Sequence, residues 1–200
     1  MTSVTLLAAI ASLYEIAVVQ GKATSTARLK LLAEYCQQEL AGRGLPGAEI
    51  ETEIPGGGRS KEWDVAWKHD GKYRLAISLK SILKNLPGTV PNRIDDLIGE
   101  TANIQMYSPE IVVAYLMVFN VAEDAAANKH GMTWCDLLQQ RLRNLSGRRA
   151  PSWSVGTIES FAVLRVDFSK GPTLLRGEEE VARLLDALVA EVRKRNPGIE

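Results

Sequence analysis

Hydrophobic positions recur at helical spacing near both ends of the chain. In the N-terminal part, this spacing predicts helices over 5–19 and 27–40. In the C-terminal part, it predicts helices over 133–145 and 178–194, with an alternating strand at 158–168 between them. Each predicted helix has one apolar stripe, which indicates packing against a common core.

The middle of the chain carries the strongest strand patterns. Residues 48–54 alternate apolar and acidic side chains. Residues 61–68 and 73–81 are apolar-rich arms around Asp70-Gly71, a dipeptide that favours a tight hairpin turn. Residues 111–121 are almost continuously apolar, which is typical of a central strand buried on both faces.

Loops and one further helix connect these strands. Residues 81–91 are rich in Asn, Pro and Gly and predict a loop, after which Asn92 is predicted to cap a helix over 93–107. We expect its buried stripe to consist of Ile94, Leu97, Ile98, Ala102 and Ile104. Residues 55–60 predict a flexible loop, and residues 123–131 a polar one.

The order of these elements predicts an α/β fold with a mixed central sheet flanked by helices on both faces. We expect one domain over 1–200. Its parts are a helical N-terminal segment (1–45), a core (48–121) and a C-terminal helix-strand-helix segment (132–200). Two hundred residues are enough for one domain with its own hydrophobic core.

Composition and charge narrow the possibilities only slightly. Lys and Arg together number 24, as do Asp and Glu, so any nucleic-acid-binding surface must be a local basic patch.

Cys36 and Cys135 are predicted to be buried thiols rather than a disulfide. The apolar stretch 4–19 has no basic leader and is too short to span a bilayer, so we expect a cytoplasmic protein. His69 and His130 lie in predicted loops and are not expected to be catalytic.

The hairpin brings together three side chains that can do chemistry. Side chains alternate across a strand, so Ser78 and Lys80 share one face, and Asp64 on the facing arm can lie close to them. An aspartate beside a lysine at the mouth of a buried hairpin suits a divalent cation and an activated water.

This arrangement resembles the restriction-endonuclease-like nucleases, the PD-(D/E)XK superfamily. Their core order is helix, three-stranded meander, crossover helix and buried strand, and their motif is Pro-Asp followed after a gap by Asp/Glu-x-Lys. The chain is similar over about 26–120, with Asp64 as the first acid and Ser78-Leu79-Lys80 as the second element. It departs from the motif in two places: Trp63 precedes Asp64, and Ser78 replaces the second acid.

The resemblance also implies how the missing carboxylate is supplied. Some restriction enzymes with a Ser-x-Lys element recruit it from the following helix. Here Glu100 is the best candidate, Asp96 the second, and Glu34 from the second helix the third; loss of the metal is the remaining alternative. The resemblance implies Mg²⁺, with Mn²⁺ as a substitute, held by Asp64, Glu100 and the Leu79 carbonyl.

The implied activity is that of a type II restriction enzyme, which hydrolyses phosphodiester bonds of double-stranded DNA to 5′-phosphate and 3′-hydroxyl ends. Lys80 would orient or help deprotonate the attacking water, or stabilise the phosphorane, and Ser78 would hold a metal-bound water by a hydrogen bond. Such enzymes are commonly homodimers, and the first and last helices are the candidate dimer surfaces. Residues expected to contact DNA are Lys84, Asn85, Arg93, Arg141, Arg143, Arg148 and Arg149. Arg93 has an alternative role, as an ion-pair partner of Asp96.

Two other functions stay open from the sequence. A catalytically inactive DNA-binding or assembly module on the same fold follows if Ser78 marks a lost site. A small-molecule enzyme is the weaker alternative, because no motif in the sequence encodes a cofactor pocket.

Overall fold

The computed structural model describes residues 3–124, 129 and 131–199, and its α/β architecture is the predicted one. The helices are α1 (Leu6–Tyr14), α2 (Lys30–Gly42), α3 (Leu86–Tyr107), α4 (Trp134–Asn144) and α5 (Glu178–Arg195). The strands are β1 (Glu49–Ile54), β2 (Lys61–His69), β3 (Lys72–Ile82), β4 (Val112–Asn120), β5 (Ser160–Asp167) and β6 (Thr173–Arg176). A π-helical turn (Glu15–Val19) continues α1, and a 3₁₀ turn (Thr26–Leu29) leads into α2. His130 and 125–128, which belong to the predicted polar loop, lie outside the described residues.

The six strands form one mixed sheet in the order β1-β2-β3-β4-β5-β6. The first three strands form an antiparallel meander, β3, β4 and β5 are parallel, and β6 returns antiparallel to β5. Helix α3 makes the crossover between β3 and β4. The predicted meander, crossover helix and central strand are therefore confirmed.

Helices cover both faces of this sheet. Helices α1, α2 and α5 pack on one face, with Ile10, Leu32 and Leu188 among their buried residues. Helices α3 and α4 pack on the other, with Leu97 and Leu138. All nine residues of β4 are buried, because the strand lies between these two layers.

Strands β2 and β3 separate from each other partway along their length. Their pairing runs from Val65 opposite Ile77 to His69 opposite Lys72. On the other side of Val65, the register of β2 continues with β1, while β3 beyond Ile77 continues in register with β4. The separation opens the sheet surface at the residues that the sequence singled out for chemistry.

The predicted loop over 81–91 is wrong for much of its length, because α3 begins at Leu86. Pro87 lies in the first helical turn, where a missing backbone N–H costs little, whereas Pro91 lies inside the helix. Leu86 and Val90 are four residues apart and both are buried against the sheet. Their packing explains why a helix forms through a segment composed of typical loop residues.

Smaller expectations also fail. Ile98 was predicted to be buried but is 40% exposed, because the inward face of α3 carries Leu97 and Thr101 instead. Strand β6 was not predicted, since only Leu174 of its four residues is partly buried. The apolar stripe of α5 is buried within the chain, so α5 presents no apolar dimer surface, whereas Leu7 of α1 is 60% exposed.

The prediction that both cysteines are buried thiols is confirmed. Burial raises the pKa of Cys36 and of Cys135 to about 12. Within the described residues, the helices are too short or too polar to cross a membrane.

Candidate active site

The carboxylate of Asp64 lies where β2 and β3 stop pairing. It accepts a backbone hydrogen bond from β3 that a paired strand would otherwise accept. The backbone N–H of Leu79 donates to Asp64 Oδ2 over 2.7 Å, and Ser78 Oγ lies 3.4 Å from the same oxygen. Among the described residues, none donates to Asp64 Oδ1. Burial raises the pKa of the Asp64 carboxyl, although the Leu79 hydrogen bond and the charge of Lys80 act in the opposite direction. One oxygen of a partly desolvated carboxylate thus stays available to a ligand.

Glu100 of α3 anchors a second group of side chains. Lys80 Nζ lies 3.4 Å from Glu100 Oε1, and Lys61, the first residue of β2, pairs with the same oxygen. The Tyr115 hydroxyl donates to Glu100 Oε2 over 2.6 Å. Burial disfavours the charged form of Glu100, but Lys80, Lys61 and Tyr115 together outweigh it, and the pKa of Glu100 is lowered. Glu100 is therefore held in its ionised form by two cations and a phenol.

Tyr115 reaches Glu100 because of the parallel register between β3 and β4. It lies opposite Ser78 in that register and is fully buried. Burial, and then the negative charge of Glu100, raise the pKa of Tyr115 well above its usual value. The phenol therefore stays protonated and acts as a hydrogen-bond donor.

Asp64 and Lys80 line one cleft of about 250 Å³. The remaining ionisable residues that line it are the acids Glu51 and Glu62 and the cations Arg28, Lys30 and Arg93. The acids come from β1 and β2, while these cations come from α3, from the 3₁₀ turn before α2 and from the first residue of α2. The cleft is therefore polarised, with an acidic side and a basic side.

The structure distinguishes among the three candidates for the missing carboxylate. Glu100 shares Lys80 with Asp64, and its charge raises the pKa of Asp64. Asp96 is paired with Arg93 over 2.6 Å, which is the alternative role considered for that arginine. Glu34 is absent from the residues that line the cleft. Across residues 3–124, 129 and 131–199, no group of three or more His, Cys, Asp or Glu side chains could hold a metal ion.

The seven predicted DNA-contacting residues differ in exposure. Five of them are exposed: Lys84, Asn85, Arg141, Arg143 and Arg149. Arg93 is half-buried and lines the cleft. Arg148 is buried.

The prediction that Arg148 contacts DNA is wrong. Its side chain is 1% exposed and donates to Glu159 Oε1 over 3.0 Å and to the Pro109 carbonyl over 2.6 Å. Arg195 Nη2 lies 2.8 Å from the same oxygen of Glu159, and the Val113 N–H donates to Glu159 Oε2 over 2.6 Å. Arg148 is therefore part of a buried ion-pair network that ties the chain around β4.

The loop over 55–60, which was expected to be flexible, is attached to α3 by Asn103. Asn103 Oδ1 accepts from the Gly58 N–H over 2.9 Å, and Asn103 Nδ2 donates to the Arg59 carbonyl over 2.8 Å. These bonds hold the loop against the helix that carries Glu100. The loop thereby places Lys61, the first residue of β2, next to the carboxylate of Glu100.

The residues of this site that were not singled out from the sequence include Arg28, Lys61 and Tyr115. Arg28 is 53 residues from its partner Ser81, and no local pattern signals such a contact. Tyr115 lies in an apolar run that predicts only burial, and its link to Ser78 depends on strand register.

Comparison of the chain with models of protein families, with curated proteins and with solved structures gives no match in any of the three.

Proposed function

We propose that the protein is a Mg²⁺-dependent endonuclease of double-stranded DNA, in the manner of a type II restriction enzyme with a Ser-x-Lys element. The observation that carries this proposal is the convergence of Asp64 and Lys80 on one cleft, with Glu100 on the far side of Lys80. The order of helix, antiparallel meander, crossover helix and buried parallel strand supports membership of the restriction-endonuclease-like superfamily.

The proposed donor groups are oxygen atoms, the type of ligand that Mg²⁺ prefers. This ion usually takes one or two protein carboxylates and completes its coordination with water and substrate phosphates. Asp64 supplies one open oxygen, and Glu100 and the Leu79 carbonyl are the further protein ligands that we propose. When bound, Mg²⁺ would neutralise charge on the phosphate and lower the pKa of water at the site.

The side chains of the protein would position the reactants and balance charge. The oxygen of a water attacks phosphorus, the P–O3′ bond breaks, and one proton of the water passes to solvent while the 3′-oxygen takes one up. Lys80 lines the cleft, and we propose that its ammonium orients the water and stabilises the charge that develops on the phosphoryl oxygens. Ser78 supports Asp64, since its hydroxyl lies 3.4 Å from Oδ2.

A plasmid-cleavage assay tests this proposal. We expect wild-type protein to give discrete fragments with Mg²⁺ or Mn²⁺ and none with EDTA. Asp64→Ala and Lys80→Ala should each remove cleavage, whereas Glu179→Ala and Lys170→Ala, the matched controls on exposed positions, should retain it. Cleavage by Asp64→Ala at the wild-type rate would contradict the assigned site.

Glu100 has a sharper test of its own. Ser78 Oγ lies 3.4 Å from Asp64 Oδ2. An acidic side chain at position 78 would therefore bring a carboxylate to the proposed metal site beside Asp64, in place of the one that Glu100 supplies. We expect Glu100→Ala to lose cleavage while keeping DNA binding, and Ser78→Asp to restore part of the activity in that background. Failure of the double variant to cut, despite normal folding, would argue against a shared metal.

The rival function is a catalytically inactive DNA-binding module. The observation that favours it is that Lys61, Lys80 and Tyr115 engage both oxygens of Glu100, so a metal ion must compete for them. A wild-type protein that binds DNA but does not cut it with any divalent cation would support this function.

The homodimer is also a proposal, and light scattering in solution tests it.

A further inference from the structure

The proposed hydrolysis leaves the basic side of the cleft without a role. Arg28 comes from the 3₁₀ turn before α2, and Arg93 comes from the first half of α3. They are 65 positions apart in the sequence, and both line the cleft that contains Asp64 and Lys80. Such a convergence of two guanidinium groups needs an explanation, because like charges repel.

Arg28 is held in a fixed orientation. Its Nε donates to Ser81 Oγ over 3.1 Å, and its Nη1 donates to the Ser25 carbonyl over 2.5 Å. Ser81 follows Lys80 on β3, so the guanidinium is attached next to the proposed catalytic strand end. Within the described part of the chain, Arg28 Nη2 has no acceptor, which leaves one edge of the fork for a ligand.

Arg93 also has an unused donor. Its Nη1 is bonded to Asp96 over 2.6 Å, while its Nε is buried without a partner among the described residues. A buried donor that makes no hydrogen bond is unfavourable until an acceptor arrives. Burial and then the positive charge of Arg93 lower the pKa of Arg28, against the opposing effect of Asp64, so the two guanidinium groups lie close enough to repel each other.

We propose that Arg28 and Arg93 form a clamp for one phosphate of the DNA strand, adjacent to the phosphate that is cut beside Asp64 and Lys80. The identity of the ligand rests on the proposed function. A phosphate supplies several acceptor oxygens to the two forks and removes their mutual repulsion. Glu51 and Glu62 line the same cleft and repel a phosphate, so we expect it to bind beside the two arginines.

Binding of a fluorescent duplex, measured by anisotropy in EDTA at several salt concentrations, tests the clamp. We expect Arg28→Gln and Arg93→Gln each to weaken binding about fivefold and to reduce the slope of log Kd against log salt by about one. Arg183→Gln removes the same charge from the exposed face of α5 and should change neither quantity. A salt slope for Arg28→Gln equal to that of Arg183→Gln would overturn the clamp.

A second measurement uses wild-type protein and does not depend on the folding of a variant. Phenylglyoxal should modify Arg28 more slowly when the duplex is bound; an unchanged rate would overturn the clamp. Cleavage assays on the same samples separate the two proposals. Full binding with a normal salt slope but no Mg²⁺-dependent cleavage overturns the nuclease and keeps the clamp. Normal cleavage, with Arg28→Gln indistinguishable from Arg183→Gln, overturns the clamp alone.

Discussion

The backbone N–H of Leu79 donates to the Asp64 carboxylate over 2.7 Å, where β2 and β3 no longer pair. A side chain thus supplies the acceptor that a neighbouring strand would otherwise provide. The contact satisfies the backbone and fixes one carboxylate oxygen, while the other oxygen stays available. The same residue therefore contributes to the fold and to the candidate site.

Asp64→Asn should abolish cleavage and stabilise the protein at pH 7 by about 0.5–2 kcal/mol. The pKa of Asp64 is raised on folding, so its ionised form costs stability, and this cost develops as pH rises through the native pKa. Asn keeps an acceptor for Leu79 and never ionises. Urea denaturation should show the gain at pH 7 and its disappearance below about pH 3.9, the unfolded pKa of Asp. Asp64→Ala, which leaves Leu79 without an acceptor, should show no gain.

Glu100→Gln should have the opposite effect on stability. The pKa of Glu100 is lowered on folding, so its charge stabilises the protein above the unfolded pKa, and this contribution is lost as pH falls through the native pKa. Gln leaves Lys61 and Lys80 without their anion, and we expect a loss of about 1–3 kcal/mol at pH 7. Denaturation at pH 7 and below about pH 4.3 measures the difference. An equal loss at both pH values would contradict the ion-pair explanation.

Lys61→Met should lower the Mg²⁺ concentration needed for half-maximal cleavage. Lys61 pairs with the oxygen of Glu100 that Lys80 also contacts, so it competes with a cation for that ligand. A partly exposed pair of this kind is worth about 0.2–1 kcal/mol, which corresponds to a shift of up to about fivefold. Lys68→Met, at the exposed pair with Glu49, is the control. A fall in rate with no change in the metal requirement would instead indicate a direct role for Lys61.

Glu159→Ala should be strongly destabilising. It leaves Arg148 and Arg195 buried without their shared anion, and breaking such a buried network costs about 3–5 kcal/mol. Arg149→Ala, at the exposed neighbouring position, should change stability by less than about 0.5 kcal/mol. Chemical denaturation measures both variants. A marginal effect of Glu159→Ala would show that the network contributes little.

Asn103→Ala should lower stability by about 0.5–1.5 kcal/mol and reduce cleavage. Asn103 holds Gly58 and Arg59, and therefore the start of β2, against α3. Asn92→Ala, an exposed Asn on the same helix, should have little effect on either quantity. Denaturation and cleavage of the two variants, measured side by side, check this expectation. Wild-type behaviour of Asn103→Ala would mean that the loop does not position the site.

Most of the fold could be predicted because each element has a strong local pattern. The continuous apolar run of β4 and the Asp70-Gly71 turn of the hairpin were sufficient to place them. The start of α3 could not be predicted, because Pro87 and Pro91 are typical of loops, whereas the helix there forms through the packing of buried side chains. Local preference and tertiary burial disagree there, and burial prevails.

Only the part of the candidate site that is formed by residues close in sequence could be predicted. Asp64 and Lys80 lie on two arms of one hairpin, so alternation and a turn bring them together. Tyr115 and Arg28 enter through strand register and long-range packing, which leave no trace in a short stretch of sequence. For Arg148 the basic cluster suggested a surface, but its partner Glu159 lies 11 positions away and its burial was not apparent from the sequence.

The contact of Arg28 with Ser81 has a consequence for the order of assembly. The hairpin closes the contact between Asp64 and Leu79 over 15 positions, whereas Arg28 reaches its serine across 53. Because short loops close at a lower entropic cost, we expect the hairpin to organise first during folding. A molecule whose N-terminal segment has not yet docked would then already have its acid and lysine together, and it would gain the arginine that we propose to hold a phosphate only when that segment docks.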